Sequence, residues 1–427
     1  MKTARERETR EMMRNTRILP GNFVCFASFR VFRVLKKVLP LVFCLLIISF
    51  TCTAQTAKRR ATTTASSFDQ LSKKAAEARD ANRIDEAIAL YRQALKSKPS
   101  WAEGWWYLGT LFYDLERHAE AREALQRLAA LKPDGGPTWA LIGLCEFRLR
   151  EFQQALIHLM RARVLGLGGN EQIAFVANYH AALLLTRFEQ FEGGTEILSQ
   201  LAKQHPANPA IIEAFGINML RLPYLPPELP PEKRELVLRM GRAGDQFLSN
   251  RVDESRREFE DLIRDYPKTP NIHYAYGVFL LRESPDAALE EFRRELELSP
   301  KHVPSMLQIA FEYLKRNEHT AGLPFAEQAS QLDPNSFPAR NALGRILLEL
   351  GQIERAIKEL ETGVKLAPDS PEMHFALARA YSRAGRKAEA AKERAEFMRL
   401  DKIRRAQREG LQSPIPAEPS QTPSNPQ

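Results

Sequence analysis

Cysteine is nearly absent from this 427-residue chain: there are four, and Cys25, Cys44 and Cys52 all lie within the first 52 residues. Once those are set aside as part of a leader, Cys145 stands alone, so no intramolecular disulfide is expected and a buried, inert thiol is. Paired cysteines at metal-ligand spacing are missing, as is any helix with two zinc-spaced histidines. The eight histidines, His118, His158, His180, His205, His273, His302, His319 and His374, include no close pair. No metal site is expected from them. A phosphate-cradling loop is missing too: Gly166-Leu-Gly-Gly169 has no strand before it and no matching lysine after it, and reads as a turn between repeats. Adjacent acids such as Glu290 and Glu291 point in different directions on a helix and cannot work on one bond. The sequence therefore predicts no catalytic residues, no cofactor and no enzyme.

Charge of one sign is also scarce once the N-terminus is removed. The formal charge of +9 falls almost wholly in residues 1–54, with ten Lys and Arg against three Glu; 52 basic and 50 acidic residues follow. A broad nucleic-acid surface is excluded on that ground. Within the leader, basic residues end at Lys36 and Lys37, an apolar run covers Val38 to Phe50, and Cys52-Thr53-Ala54 precedes Gln55. That order predicts a secretory signal cleaved after Ala54. The alternative is a retained membrane anchor. Leu39 to Phe50 is 12 residues, or roughly 18 Å of helix against a hydrocarbon core of about 30 Å. Either way the positive flank faces the cytoplasm and the remainder is exported, to the periplasm or beyond if cleaved, or tethered outside the inner membrane if not.

What the chain does have is a period. A small residue, an alanine about twelve positions later and a proline about twelve later still recur at intervals of about 34 residues. The first copy reads Ala75, Ala87, Pro99, the second Gly109, Ala121, Pro133, and a late one Gly344, Ala356, Pro368. Other copies centre on Gly143 and Ala155, Ala182 and Pro206, Ala243 and Pro267, Gly277, Ala288 and Pro300, Ala310, Gly322 and Pro334, and Ala378 and Ala390. Small side chains let the two helices of a hairpin approach closely, and proline begins the next turn. The pattern predicts an all-α solenoid of roughly eight to nine helical hairpins, whose length measures repeat number.

In the second copy Trp105, Leu108, Gly109 and Phe112 reproduce the spaced Trp, Leu-Gly, Tyr signature, and the chain resembles the tetratricopeptide repeat family over most of residues 68–401. Several copies depart from it. Gly194 and Ser255 replace the second-helix alanine, Glu146 sits where an aromatic is usual, and the Gly277 copy is one residue short. The resemblance implies an α-α superhelix that binds other proteins without catalysis; it does not name a partner.

The domain reading follows. Residues 1–54 are the leader, 55–67 a flexible linker, 68–222 a first repeat block, 223–231 a proline-rich strut, 232–401 a second block, 402–410 a capping helix and 411–427 a disordered tail. The strut, Pro223-Tyr-Leu-Pro-Pro-Glu-Leu-Pro-Pro231, favours an extended polyproline conformation and replaces the partner of the helix expected at 208–222. Its leucines and Tyr224 favour packing over a hinge.

In this family the first helix of each hairpin lines the concave face. The inward positions are Trp106, Thr110 and Tyr113, then Leu144 and Phe147, then Tyr274 and Val278, Leu307 and Phe311, Asn341 and Arg345, and Phe375 and Arg379. Aromatics and arginine dominate binding hot spots, so Trp106, Tyr113, Phe147, Tyr274, Phe311, Arg345 and Arg379 are the candidate partner-binding residues. An extended peptide or a helix suits such a lining. Trp105, Leu108, Phe112, Trp139, Tyr91, Phe292 and Tyr381 are assigned to core packing, and Ala75, Ala87, Gly109, Ala121, Gly143, Ala155, Gly277, Gly344 and Ala356 to the helix contacts. The family's carboxylate-clamping subtype does not match, since the corresponding places hold Ser72, Ala76, Tyr107, Pro137 and Leu141. The expected role is an adaptor in a bacterial envelope. The alternatives are a self-associating structural component and a glycan-binding protein whose aromatics serve as stacking platforms.

Overall fold

The computed structural model describes residues 67–412, with side chains through Arg405. The leader and almost all of the linker and tail lie outside the described residues. Among the described residues there are helices and no strands. Helix α1 covers 67–80 and is followed by α2 (Ile84–Ser97), α3 (Ala102–Asp114), α4 (His118–Leu131), α5 (Gly136–Arg148), α6 (Phe152–Leu165), α7 (Glu171–Arg187), α8 (Phe191–Gln204) and α9 (Pro209–Met219). Beyond the strut come α10 (Arg234–Leu248), α11 (Val252–Asp265), α12 (Ile272–Leu280), α13 (Pro285–Leu298), α14 (Val303–Lys315), α15 (His319–Leu332), α16 (Phe337–Glu349), α17 (Ile353–Leu366), α18 (Pro371–Arg383) and α19 (Lys387–Gln412). They pair into nine antiparallel hairpins, with α9 left over.

The periodic small residues are the hairpin contacts. A Cβ on Gly109 would lie 2.7 Å from Leu125 Cγ, one on Gly143 2.8 Å from Leu159 Cγ and one on Gly344 2.5 Å from Leu360 Cγ, each sixteen residues on. In the shortened repeat Gly277 meets Phe292, fifteen residues on, at 2.6 Å. Ala75, Ala87, Ala121, Ala155 and Ala356 are fully buried. Most first helices end alike. One residue enters the left-handed region (Asn82, Glu116, Arg150, Glu189, Asn250, Asn317, Gly351, Gly385), and the next N–H donates back to the carbonyl five residues earlier, as in Arg117 N to Phe112 O at 2.9 Å.

The departures from the repeat pattern have local causes. Ser255 Oγ donates to the Ala243 carbonyl at 2.8 Å, so the serine costs little where alanine is usual. Gly194 leaves room for Asn218, whose Nδ2 donates to Thr186 Oγ1 at 2.9 Å and to Phe191 O at 3.1 Å, while Thr195 Oγ1 donates to Asn218 Oδ1 at 2.6 Å. Glu146 is buried against His158 Nδ1 at 2.7 Å, and two further hairpin pairs, buried His273–Glu291 and part-buried His374–Glu393, close at 2.6 Å.

The described residues from Leu71 form one compact unit that runs through both expected blocks, 68–222 and 232–401. Three expectations are corrected. The strut is not a polyproline extension but two 3-10 turns, Pro226–Glu228 and Pro231–Lys233, pinned by buried Leu225 and Leu229 and by the Arg187–Glu228 ion pair. Helix α19 runs unbroken through 402–410 and past Gly410. Asp401 pairs with Arg404 at 2.9 Å and with Arg405 at 2.7 Å across that stretch, one turn along the same helix. Trp105 and Trp139 are half-buried rather than core, because each indole N–H reaches out to a proline carbonyl six residues back, Pro99 at 2.8 Å and Pro133 at 2.9 Å.

The unpaired helix α9 decides how the array continues. It ends as other first helices do, with Arg221 in the left-handed region and Leu222 N donating to Ile217 O at 3.0 Å. No second helix follows, so α9 packs directly on α10, itself a first helix. Gly216 and Gly241 permit the crossing, since a Cβ on either would lie 1.9 Å from a carbonyl oxygen of the other helix. Two core clusters meet here, one holding Phe215 and the next Ile217.

Candidate functional site

The first helices carry the candidate residues, and the structure separates them into three stretches. Near the N-terminal end, Trp106 is half-buried in a cleft of about 390 Å³ with Pro137, Thr138, Ile173 and the Leu167–Asn170 loop. Tyr113 meets His118 edge-on at 5.7 Å, and burial raises its hydroxyl pKa. Phe147 lies 4.5 Å from the His180 ring and 5.5 Å from Phe152, closing the gap between hairpins rather than standing free. Leu144, expected to point inward, is core.

In the middle, Tyr274 packs against His302 at 4.9 Å and Phe292 at 5.9 Å, while Val278 is 40% exposed. Both line a cleft of about 310 Å³ beside the α9–α10 crossing. Behind Tyr274, burial first and the Arg221 charge second bring His302 down to about 4, so that imidazole is neutral at pH 7. Its Nδ1 accepts from Ser305 N at 3.3 Å, capping α14, and its Nε2 is buried without a partner.

At the C-terminal end, Phe311 is half-buried against the last core cluster. Arg379 and Arg383 share the Glu349 carboxylate, each at 2.7 Å, and Arg383 also donates to Leu348 O at 2.6 Å. Burial, and then the neighbouring Arg379 charge, lower the pKa of Arg345, which makes no ion pair among the described residues. Asn341, expected to point inward, is buried, with Oδ1 unpartnered. Glu349 and Arg383 escaped the sequence reading: each falls one helical turn beyond a chosen inward position, and the i+4 spacing from Arg345 and Arg379 could have found them. Phe375 is 48% exposed and lies 5.3 Å from Phe397 of α19.

No group of three His, Cys, Asp or Glu residues could hold a metal ion among the described residues, and no described helix is long and apolar enough to cross a membrane. The arrangement offers shape, aromatic surface and cationic side chains, which defines a protein-interaction scaffold built of stacked helical hairpins. One family model described as tetratricopeptide repeat matches residues 73–136 and 246–303, and a second such model matches 313–374, so the chain carries tetratricopeptide repeats in those stretches.

Curated relatives share parts of the array. Anaphase-promoting complex subunit 3 of Schizosaccharomyces pombe is 28% identical over 136 residues, covering 32% of this chain and 20% of that protein. Small glutamine-rich tetratricopeptide repeat-containing protein 2 of Mycosarcoma maydis is 27% identical over 92 residues, 22% of this chain and 26% of that one. The chain thus spans a quarter or less of the length of the first and about a quarter of the second. Among solved structures, the MamA RS-1 ArsTM double mutant aligns with TM-score 0.37 and 21% identity over 40% of this chain and 96% of its own. MamA 41-end from Desulfovibrio magneticus RS-1 aligns with TM-score 0.36 and 22% identity over 39% and 94%. A repeat scaffold of this kind is typically non-enzymatic.

Proposed function

We propose that the chain is an adaptor that holds a partner peptide or helix against its first helices, exported to a bacterial envelope by the basic and apolar leader. One observation carries the reading: half-buried Trp106, Tyr113, Phe311, Arg345 and Arg379 recur along the first helices of hairpins from one end of the array to the other. Such side chains retain area to bury and charge to pair on binding. Because the hairpins are already stacked, the scaffold loses little conformational entropy when a partner docks. The surplus of arginine over Glu349 at the C-terminal end suits an acidic residue of the partner.

The test is affinity capture from an envelope extract by the full chain, beside a copy carrying Trp106→Ala, Tyr113→Ala, Phe311→Ala and Arg345→Ala with matched helicity and melting. A protein retained by the parent and lost by the variant is the expected result. Identical capture by both rejects the concave surface as the binding site. N-terminal sequencing of the exported protein addresses the leader: a start at Gln55 means cleavage, and an intact leader in the membrane fraction means an anchor.

A further inference from the structure

We infer that the cleft beside the α9–α10 crossing receives one tryptophan or tyrosine side chain of the bound segment; this rests on the adaptor reading above. The cleft exists because the repeat is broken. A missing second helix brings α9 onto α10 through Gly216 and Gly241, and the space left between α8, α9, α10 and α12 remains open by about 310 Å³. That is near the lower limit of small-ligand pockets, about 300–1,000 Å³. It suits one ring system and is too small for a helix about 10–12 Å across.

Its lining mixes two chemistries. Phe215, Phe247, Phe279 and Met219 supply aromatic rings and a thioether, which favour an aromatic guest. The lining also includes Glu192 and Arg221, paired at 2.8 Å, with the Glu192 side chain 69% exposed. Thr195 and Asn218, in the same lining, already satisfy one another. A carboxylate has about four lone-pair sites, so Glu192 keeps capacity to accept from an indole N–H or a phenol O–H. An aliphatic side chain offers it no donor. The exposed Glu192 carboxylate, beyond its pair with Arg221, supplies an acceptor for that donor group, and Val278, exposed and lining the same cleft, makes it continuous with the row of first-helix positions.

The probe is N-acetyl-tryptophan amide, titrated into full chain labelled with 13C-methyl methionine, with the Met219 methyl assigned by Met219→Leu. The expected result is a saturable ring-current shift at Met219. N-acetyl-leucine amide should bind at least fivefold more weakly. Val278→Trp, which fills the cleft from an exposed position, should weaken the probe at least tenfold with unchanged melting, and Glu192→Ala about fivefold. No saturable shift, equal binding by parent and both variants, or leucine amide binding as tightly as tryptophan amide overturns the inference. Partner capture without probe binding rejects the cleft and leaves the adaptor reading standing. Probe binding without any captured partner rejects the peptide as its occupant.

Discussion

Gly216 and Gly241 sit in backbone contact: a Cβ on Gly216 would lie 1.9 Å from Val237 O and 3.0 Å from the Gly241 nitrogen, and one on Gly241 1.9 Å from Ile212 O. Backbone atoms cannot swing aside as a side-chain tip can. Gly216→Ala and Gly241→Ala should therefore each destabilise by about 3 kcal/mol, at the upper end of overpacking costs. Gly193→Ala is the contrasting case, because its nearest neighbour is Leu185 Cδ1 at an ordinary 3.5 Å. Removing a glycine from the first turn of α8 should leave stability equal or raise it by up to about 1 kcal/mol. Urea unfolding of the three variants checks the ordering.

Asn218 and Thr186 are buried and hydrogen-bonded to each other, Asn218 also donates to Phe191 O, and the exposed Thr195 donates to Asn218 Oδ1. Asn218→Ala strands several of these groups and should cost about 2–3 kcal/mol. Ser255→Ala, by contrast, restores the family's usual residue and deletes the hydroxyl that donates to Ala243 O. It should change stability by under about 1 kcal/mol. Thermal melts of the two variants, side by side, decide it.

His302 gives the fold a pH dependence of definite sign. Its folded pKa is depressed to about 4, chiefly by burial, against an ordinary 6.5. The unfolded chain binds a proton between those values that the folded chain refuses. The contribution of this group is fully present above pH 6.5 and is lost as pH falls toward 4, by roughly 2–3 kcal/mol in total. His118 and His180, also lowered by burial, act in the same direction. His302→Asn keeps a cap for α14 and should flatten part of the slope in urea unfolding between pH 7.5 and pH 5. An unchanged slope would show that the imidazole titrates normally in the fold.

Cys145 should be chemically silent. It is fully buried, and burial, followed by the Glu146 charge, pushes its thiol up to about 12. Almost none is thiolate at pH 8, and thiolate is the reactive form. Mass mapping of the Cys145 peptide after iodoacetamide treatment should find it unmodified in the native protein and modified in 6 M guanidinium chloride. Modification of the native chain at pH 8 would place it in a more open site.

The hairpins were legible in the sequence because their contacts are short-range: Gly109, Gly143 and Gly344 each meet a leucine sixteen residues later, and the spacing is written in the chain. The candidate surface was only partly legible. One residue of helical register separates a face from the core, about 100° on a helix. So Leu144 and Asn341 proved buried, Trp105 and Trp139 half-exposed, and Glu349 and Arg383 went unchosen.

By itself, then, the sequence determined the repeat unit: paired helices, the small residues between them and the proline that begins the next turn, all local consequences of a period of about 34 residues. Tertiary structure alone decided what happens where the period fails. The direct packing of α9 on α10, the 3-10 turns of the strut, the cleft beside the crossing and the neutral His302 behind it depend on residues far apart in the chain. Asn271 Nδ2 donates to Leu220 O, 51 positions away, at 3.1 Å. Contacts at such separations arise only once neighbouring hairpins have stacked, and no pattern within a single repeat encodes them.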